Sequence, residues 1–218
     1  FQFPFSILYY DDALWTGEGL RIDLNTLQID TIVPHKDGNE GVNIMASDGS
    51  IWYGCANSLC SVNPDSRIIT PFEDKKGLID TINFKSITYL FEGKNPDLLW
   101  IGTQGNGLFK VSKSQGGLAH YHSNSPIKLS NDRVLAITED NNENLWLATA
   151  NGVNKIHIPT EEHKIYTAEH GLSNNFINGI MLEGDTVLWV STDRGLSRMD
   201  IQAETFTNFM ESDGLSRN

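Results

Sequence analysis

Five tryptophans, Trp15, Trp52, Trp100, Trp146 and Trp189, lie 37, 48, 46 and 43 residues apart, and each stands in the same phrase. The phrases are LWTGEGLRID from Leu14, IWYGCANSLCSV from Ile51, LWIGTQGNGLFKV from Leu99, LWLATANGVNKI from Leu145 and LWVSTDRGLSRMD from Leu188. Self-similarity at this period constrains the fold more than any other feature of the chain. Each phrase holds an apolar–Trp pair, a short Gly/Asn/Ser punctuation and a second apolar run, which reads as strand, hairpin turn, strand. Runs such as Arg133–Glu139 and Ile177–Glu183 add a strand upstream, across the turns SDGS (47–50), DNNEN (140–144) and EGDT (183–186). A fourth run, such as Lys164–Thr167 or Thr205–Phe209, follows a polar corner reading DLNT, NPDS, PTEE or DIQAE. No long window keeps a helical period. The expectation is an all-β chain, a β-propeller of four-stranded antiparallel blades. Five blades are expected, at about 3–38, 40–76, 82–124, 130–168 and 175–210.

Propeller physics accounts for the residue types. A blade buried on both faces needs a second strand that is nearly all apolar, as in LWLAT or LWVST. Its Trp wedges between blades and buries a large area. The small residue two positions later (Gly17, Gly54, Gly102, Ala148, Ser191) lets the neighbouring sheet approach. Glycines 19, 107, 152 and 195 are expected at the turn into the third strand, where a positive φ is needed; the second blade has Ser58 there. The end of the chain, DGLSRN (213–218), repeats HGLSNN (170–175), so 211–218 reads as the lead-in to a sixth blade. The expectation is a single propeller fragment cut from a larger array. A closed five-bladed propeller with a short tail is the alternative. A chain that begins at Phe1 is expected to have been processed or cut from something longer.

Sixteen Lys+Arg against 28 Asp+Glu give a formal charge of −12, which disfavours nucleic acid and anionic membrane surfaces as partners. No apolar run is long enough for a membrane helix, and no signal peptide is recognisable. No catalytic constellation and no cofactor motif stands out, so the chain is read as not an enzyme. His120 and His122 share one face of a strand at a spacing that can bind a metal, but no third ligand is evident, and surface histidines are expected. The pairs Asp11–Asp12 and Glu161–Glu162 lie at turns, where such residues bond their own backbone. SDGSIW (47–52) lacks the residue between Asp and Gly that a sialidase-type Asp-box requires. Cys55 and Cys60 flank a four-residue hairpin loop that can place them opposite each other; a disulfide and two free thiols both remain open. The tryptophans read as core rather than as sugar platforms.

The stretch GLSNNFINGI, followed seven residues later by LWVSTDRGLSRMD, resembles the two-component regulator propeller repeat, and the third and fourth blades match it well. The first blade is shortened at its hairpin and the second diverges most, with cysteines in the pattern. This resemblance implies the periplasmic sensor region of bacterial hybrid two-component histidine kinases, built of blade arrays that are often two seven-bladed propellers. Downstream sensor domains, a membrane helix and a kinase would follow in the parent chain, and the signal would be a poly- or oligosaccharide fragment.

In a propeller the lead-in loops of the innermost strands crowd one mouth of the central channel. The polar residues there, Asn43, Asn83, Lys85, Asp132, Arg133, Asn175 and Asn178, are the ligand-binding candidates. Amides and carboxylates suit sugar hydroxyls, and an Arg can hold a uronate or sulfate. Expected partners are a glycan, the remaining blades and downstream domains, and a second copy through exposed end blades. The rival functions are a propeller lyase or hydrolase and a protein-binding scaffold without a small ligand.

Overall fold

A computed structural model of the chain describes residues 7–17, 19–32, 41–55, 58–73 and 87–215. It is all-β, with five antiparallel four-stranded sheets in which consecutive strands are neighbours. Blade 1 comprises β1 (Ile7–Tyr10), β2 (Ala13–Thr16), β3 (Leu20–Asp23) and β4 (Ile29–Thr31). Blade 2 comprises β5 (Asn43–Met45), β6 (Ile51–Cys55), β7 (Ser58–Val62) and β8 (Ile69–Pro71). Blade 3 comprises β9 (Ile87–Glu92), β10 (Leu98–Thr103), β11 (Leu108–Ser112) and β12 (Gly117–Tyr121). Blade 4 comprises β13 (Val134–Glu139), β14 (Asn144–Thr149), β15 (Gly152–His157) and β16 (His163–Tyr166). Blade 5 comprises β17 (Ile177–Glu183), β18 (Val187–Thr192), β19 (Gly195–Asp200) and β20 (Thr205–Phe209). The chain divides into two compact units, Phe1–Ile101 with Lys110–Ala119, and Gly102–Phe109 with His120–Asn218.

Local chemistry sets each turn. Asp11 and Asp12 both have positive φ (47° and 51°), as a two-residue primed hairpin requires. At the corner between third and fourth strands an Asx side chain takes the next amides. Asp23 accepts from Asn25 and Thr26, Asn63 from Asp65 and Ser66, and Asp200 from Gln202 and Ala203. A left-handed residue closes four of these corners: Leu27, Arg67, Glu161 and Glu204. At the turn into the third strand a Thr hydroxyl donates to the glycine carbonyl: Thr103 to Gly107 (2.8 Å), Thr149 to Gly152 (2.9 Å) and Thr192 to Gly195 (3.0 Å). The glycines at this turn have φ of 76°, 113° and 125°. A Cβ on Gly107, Gly152 or Gly195 would lie 2.2–2.5 Å from the carbonyl oxygen of Tyr121, Tyr166 or Phe209, so the residue is demanded by a close approach as well as by conformation.

In the first unit, Ala13 and Trp15 of blade 1 pack on Ile51, Tyr53, Cys60 and Val62 of blade 2. The Trp face of one blade thus meets the opposite face of the next. In the second unit the lead-in phrase LSN performs the stitching, twice. Leu129 and Leu172 are buried. The Ser130 and Ser173 hydroxyls bond Thr149 and Thr192, and their amides donate to Asn154 and Ser197. Asn131 and Asn174 accept from the amides of Arg133 and Phe176. The glycine amides of the preceding hairpins, Gly107 and Gly152, donate to the carbonyls of Asp132 (2.8 Å) and Asn175 (2.7 Å).

The cysteines differ from the sequence expectation in one respect. The register pairs Cys55 with Ser58 and Cys60 with Tyr53. In this register the two positions are not directly opposite each other. Cys60 is buried and disulfide-bonded.

Candidate functional site

Of the seven lead-in candidates, Asn83 and Lys85 lie outside the described residues. Asn43 is buried in the first unit and donates to the Trp15 carbonyl at 3.1 Å, tying blade 2 to blade 1. The other four lie in the second unit. Both Asp132 carboxylate oxygens accept from Ser123, at 2.6 Å from the amide and 2.8 Å from the hydroxyl. Asn175 accepts from the Ala168 amide at 2.7 Å, and Asn178 donates to Asp193 at 3.0 Å. The Arg133 guanidinium lies over the Phe176 ring at 5.5 Å, with its Nε buried and unbonded. Most of these side chains therefore already serve the lead-in loops.

His120 and His122 do face each other, with ring centroids 4.6 Å apart. His120 stacks on Phe109 (4.1 Å, 7°) and its Nε2 bonds the Asn106 carbonyl oxygen at 2.6 Å, while His122 Nδ1 accepts from the Asn124 amide. Among the described residues no group of three or more His, Cys, Asp or Glu is placed to hold a metal.

A second feature lies in the first unit. A groove of about 740 Å³ runs along the Trp face of blade 2, between Trp52, Ser61, Thr70 and Phe72 on one side and Pro96, Asp97, Lys113 and Ser114 of blade 3 on the other. It lies at the end of the blades that carries the turns between first and second strands, opposite the lead-ins. One break in the repeat lies within it. In four blades the third strand sets a long cation across from the tryptophan. Arg21 pairs with Trp15 and Arg198 with Trp189, while Lys110 and Lys155 lie over Trp100 and Trp146 at 5.5 and 5.3 Å. Blade 2 pairs Trp52 with Ser61, and Ser61 with Thr70 on the outer strand. Two short hydroxyl side chains leave open the space that a Lys or Arg stem fills elsewhere. This break was legible in the phrase IWYGCANSLCSV, where no basic residue follows the Trp.

The walls are apolar and the rim is acidic. Trp52 and Phe72 meet edge to face at 6.3 Å, and the Trp52 indole N–H donates to the Ser50 hydroxyl at 3.0 Å. Ser50 in turn donates to Asp48 at 2.5 Å. Lys113 is nearly buried; it bonds Glu92 at 2.6 Å and lies 3.7 Å from Asp48, so its charge is compensated within the wall. Burial opposes ionisation of Asp48, yet the bonds from Ser50 and the Lys113 ammonium outweigh it and hold the carboxyl below its ordinary range. The Ser112 hydroxyl lowers Asp97 in the same way, against a smaller effect of burial and with help from Ser114. Both stay ionised at neutral pH. The groove offers carboxylate acceptors and hydroxyls over an apolar floor, a donor set suited to a polyhydroxylated ligand.

Residues 128–151 match the family described as two component regulator propeller. That match covers 24 of the chain's 218 residues. The matched segment runs from the lead-in through Trp146 to Asn151, so it takes in the LSN phrase, the first two strands of blade 4 and the start of the next turn. Three solved structures share the fold over nearly the whole chain. One is described as the extracellular domain of a hybrid two component system, BT3049, from B. thetaiotaomicron (TM-score 0.72, 21% identity, 96% of this chain and 28% of that one). Another is described as that of the hybrid two component system BT4673 from the same organism (0.72, 21%, 94% and 31%). The computationally designed Ika8 protein aligns at 0.69 with 12% identity over 98% of this chain and 63% of its own. The chain thus spans about a third or less of the two Bacteroides domains. No curated protein matches it in sequence. Among the described residues, no helix is long and apolar enough to cross a membrane.

Proposed function

We propose that this chain is part of the periplasmic ligand-sensing propeller of a hybrid two-component sensor, and that it binds a poly- or oligosaccharide fragment. Binding would be passed through further blades and downstream domains to a histidine kinase. The observation that carries this reading is the match to the two component regulator propeller family at 128–151, whose lead-in residues bond their own blade through Ser130 and the preceding hairpin through the Asp132 carbonyl. The groove on blade 2 adds a cavity of ligand size with acceptors for hydroxyl groups. A ligand acts here only through its different affinity for two arrangements of the sensor.

The test is thermal unfolding of the chain across an oligosaccharide library. A ligand at a hundred times its Kd stabilises by about 2.7 kcal/mol, which raises Tm by roughly 5–10 °C for a chain of this size. A library that leaves Tm unmoved throughout removes the saccharide from the reading. A protein-binding scaffold is the second reading, and it draws on the half-buried Trp189 and the 62% exposed Met181 on the Trp face of blade 5. On the sensor reading a further blade takes that face.

A further inference from the structure

We infer that the groove on blade 2 admits uncharged oligosaccharides and turns away uronates and sulfated sugars. The inference deepens the saccharide-sensing reading and rests on it. Three facts carry it. Within the groove Ser61 faces Trp52 where the other blades place a Lys or Arg, so the cation those blades carry is missing from this lining. Among the described lining residues the one remaining cation, Lys113, is nearly buried and already held by Glu92 and Asp48. Among the described lining residues, the rim carboxylates Asp48, Glu73 and Asp97 then face an incoming ligand without a free counter-charge. An anionic sugar would lose hydration there and meet like charge, whereas vicinal hydroxyls donate to ionised carboxylates in charge-assisted bonds.

Cavities of about 220 Å³ beside Trp15 and Arg21 of blade 1 and about 290 Å³ beside Lys155 of blade 4 are smaller, and basic residues line both. Restoring the repeat residue is therefore the decisive change. Ser61→Lys is expected to fill the groove while leaving Tm unchanged or raised. Thr70→Trp, at an exposed position on β8, blocks the same space without adding charge.

The experiment is an array of neutral, uronate-bearing and sulfated oligosaccharides probed with the chain, followed by calorimetric titration of every hit against wild type and both variants. Expected are hits confined to neutral sugars, with affinity lost in both variants. A charge variant, Asp97→Asn, weakens neutral hits at least about tenfold, the scale of one charged hydrogen bond. Hits dominated by uronates or sulfates overturn the inference and leave saccharide sensing standing. Neutral hits that ignore Thr70→Trp and Ser61→Lys place binding elsewhere and also overturn it. An array without hits removes the sensing reading and this inference with it.

Discussion

Blades 4 and 5 are built from the same phrase and differ in what covers them. Trp146 has no exposed surface, and its indole N–H donates to Asp140, itself 1% exposed. Trp189 is only half-buried, and its N–H donates to an exposed Glu183. Two residues on, Ala148 is fully buried and Ser191 is exposed. The hairpins beneath are alike: the same Thr–Gly stitch, the same positive φ and the same close approach of an outer-strand carbonyl. The blade's own sequence therefore makes the blade, while the burial of its Trp face comes from a neighbour, since blade 5 packs on blade 4.

The largest expected effect separates those two contributions. Trp146→Ala is expected to cost about 3–5 kcal/mol, the range for a fully packed aromatic, and Trp189→Ala no more than about half of that. Urea unfolding monitored by circular dichroism measures both. Equal losses would mean that the Trp acts within its own blade and that the neighbour adds nothing.

Asp140→Ala comes next, at about 3 kcal/mol, because it strands a buried indole N–H and the side chain and amide of Asn144. Glu183→Ala, at a surface, is expected to stay within about 0.5 kcal/mol. The pH dependence sharpens this pair. Burial pushes Asp140 up, but the bonds from Trp146, Asn144 and Asn142 reverse it and leave the carboxyl below its ordinary value of 3.8. A group depressed in the folded state contributes stability above its unfolded pKa and loses it as pH falls through the folded one. Wild type should therefore weaken below about pH 4 more steeply than Asp140→Asn, as read from unfolding midpoints between pH 2 and 5.

Gly152→Ala and Gly195→Ala should cost the same, about 2 kcal/mol each, since both pair a positive φ with a backbone carbonyl in the way of the new Cβ. Chemical denaturation of the two variants checks this. A cost confined to Gly152 would show that the covering blade, and not the hairpin, sets the demand.

What the sequence made legible follows this division. The five sheets and the positive-φ glycines could be read because each depends on residues close in the chain or on a fixed strand register, and four of the five tryptophans are buried as the repeat implied. Three things could not be read so directly. The register sets Cys60 across from Tyr53 rather than from Cys55, and the spacing of the cysteines alone did not show that. The lead-in side chains looked free for a ligand, but Asp132 and Asn175 accept from backbone amides near them, which is what short polar side chains do in turns. The groove was missed because it depends on an omission, Ser61 in place of a base, and on which turns of blade 3 lie opposite. Only a comparison of third strands, blade against blade, points to it.

The smallest expected effect tests what lies beyond blade 5. Met181 pairs with Trp189 across the first two strands, on the face that blade 4 buries and blade 5 exposes. Met181→Lys places a charge at a solvated position, so unfolding of the chain should shift by no more than about 0.5 kcal/mol. The same substitution in a protein with a following blade would bury that ammonium against apolar side chains and cost more than about 2 kcal/mol. The unpaired face also predicts how the chain behaves at high concentration, because an exposed apolar sheet face favours association. Light scattering should show Met181→Lys less self-associated than wild type, at unchanged stability. A variant that loses stability in the isolated chain would mean that this face is already covered, and that the contrast between blades 4 and 5 has another origin.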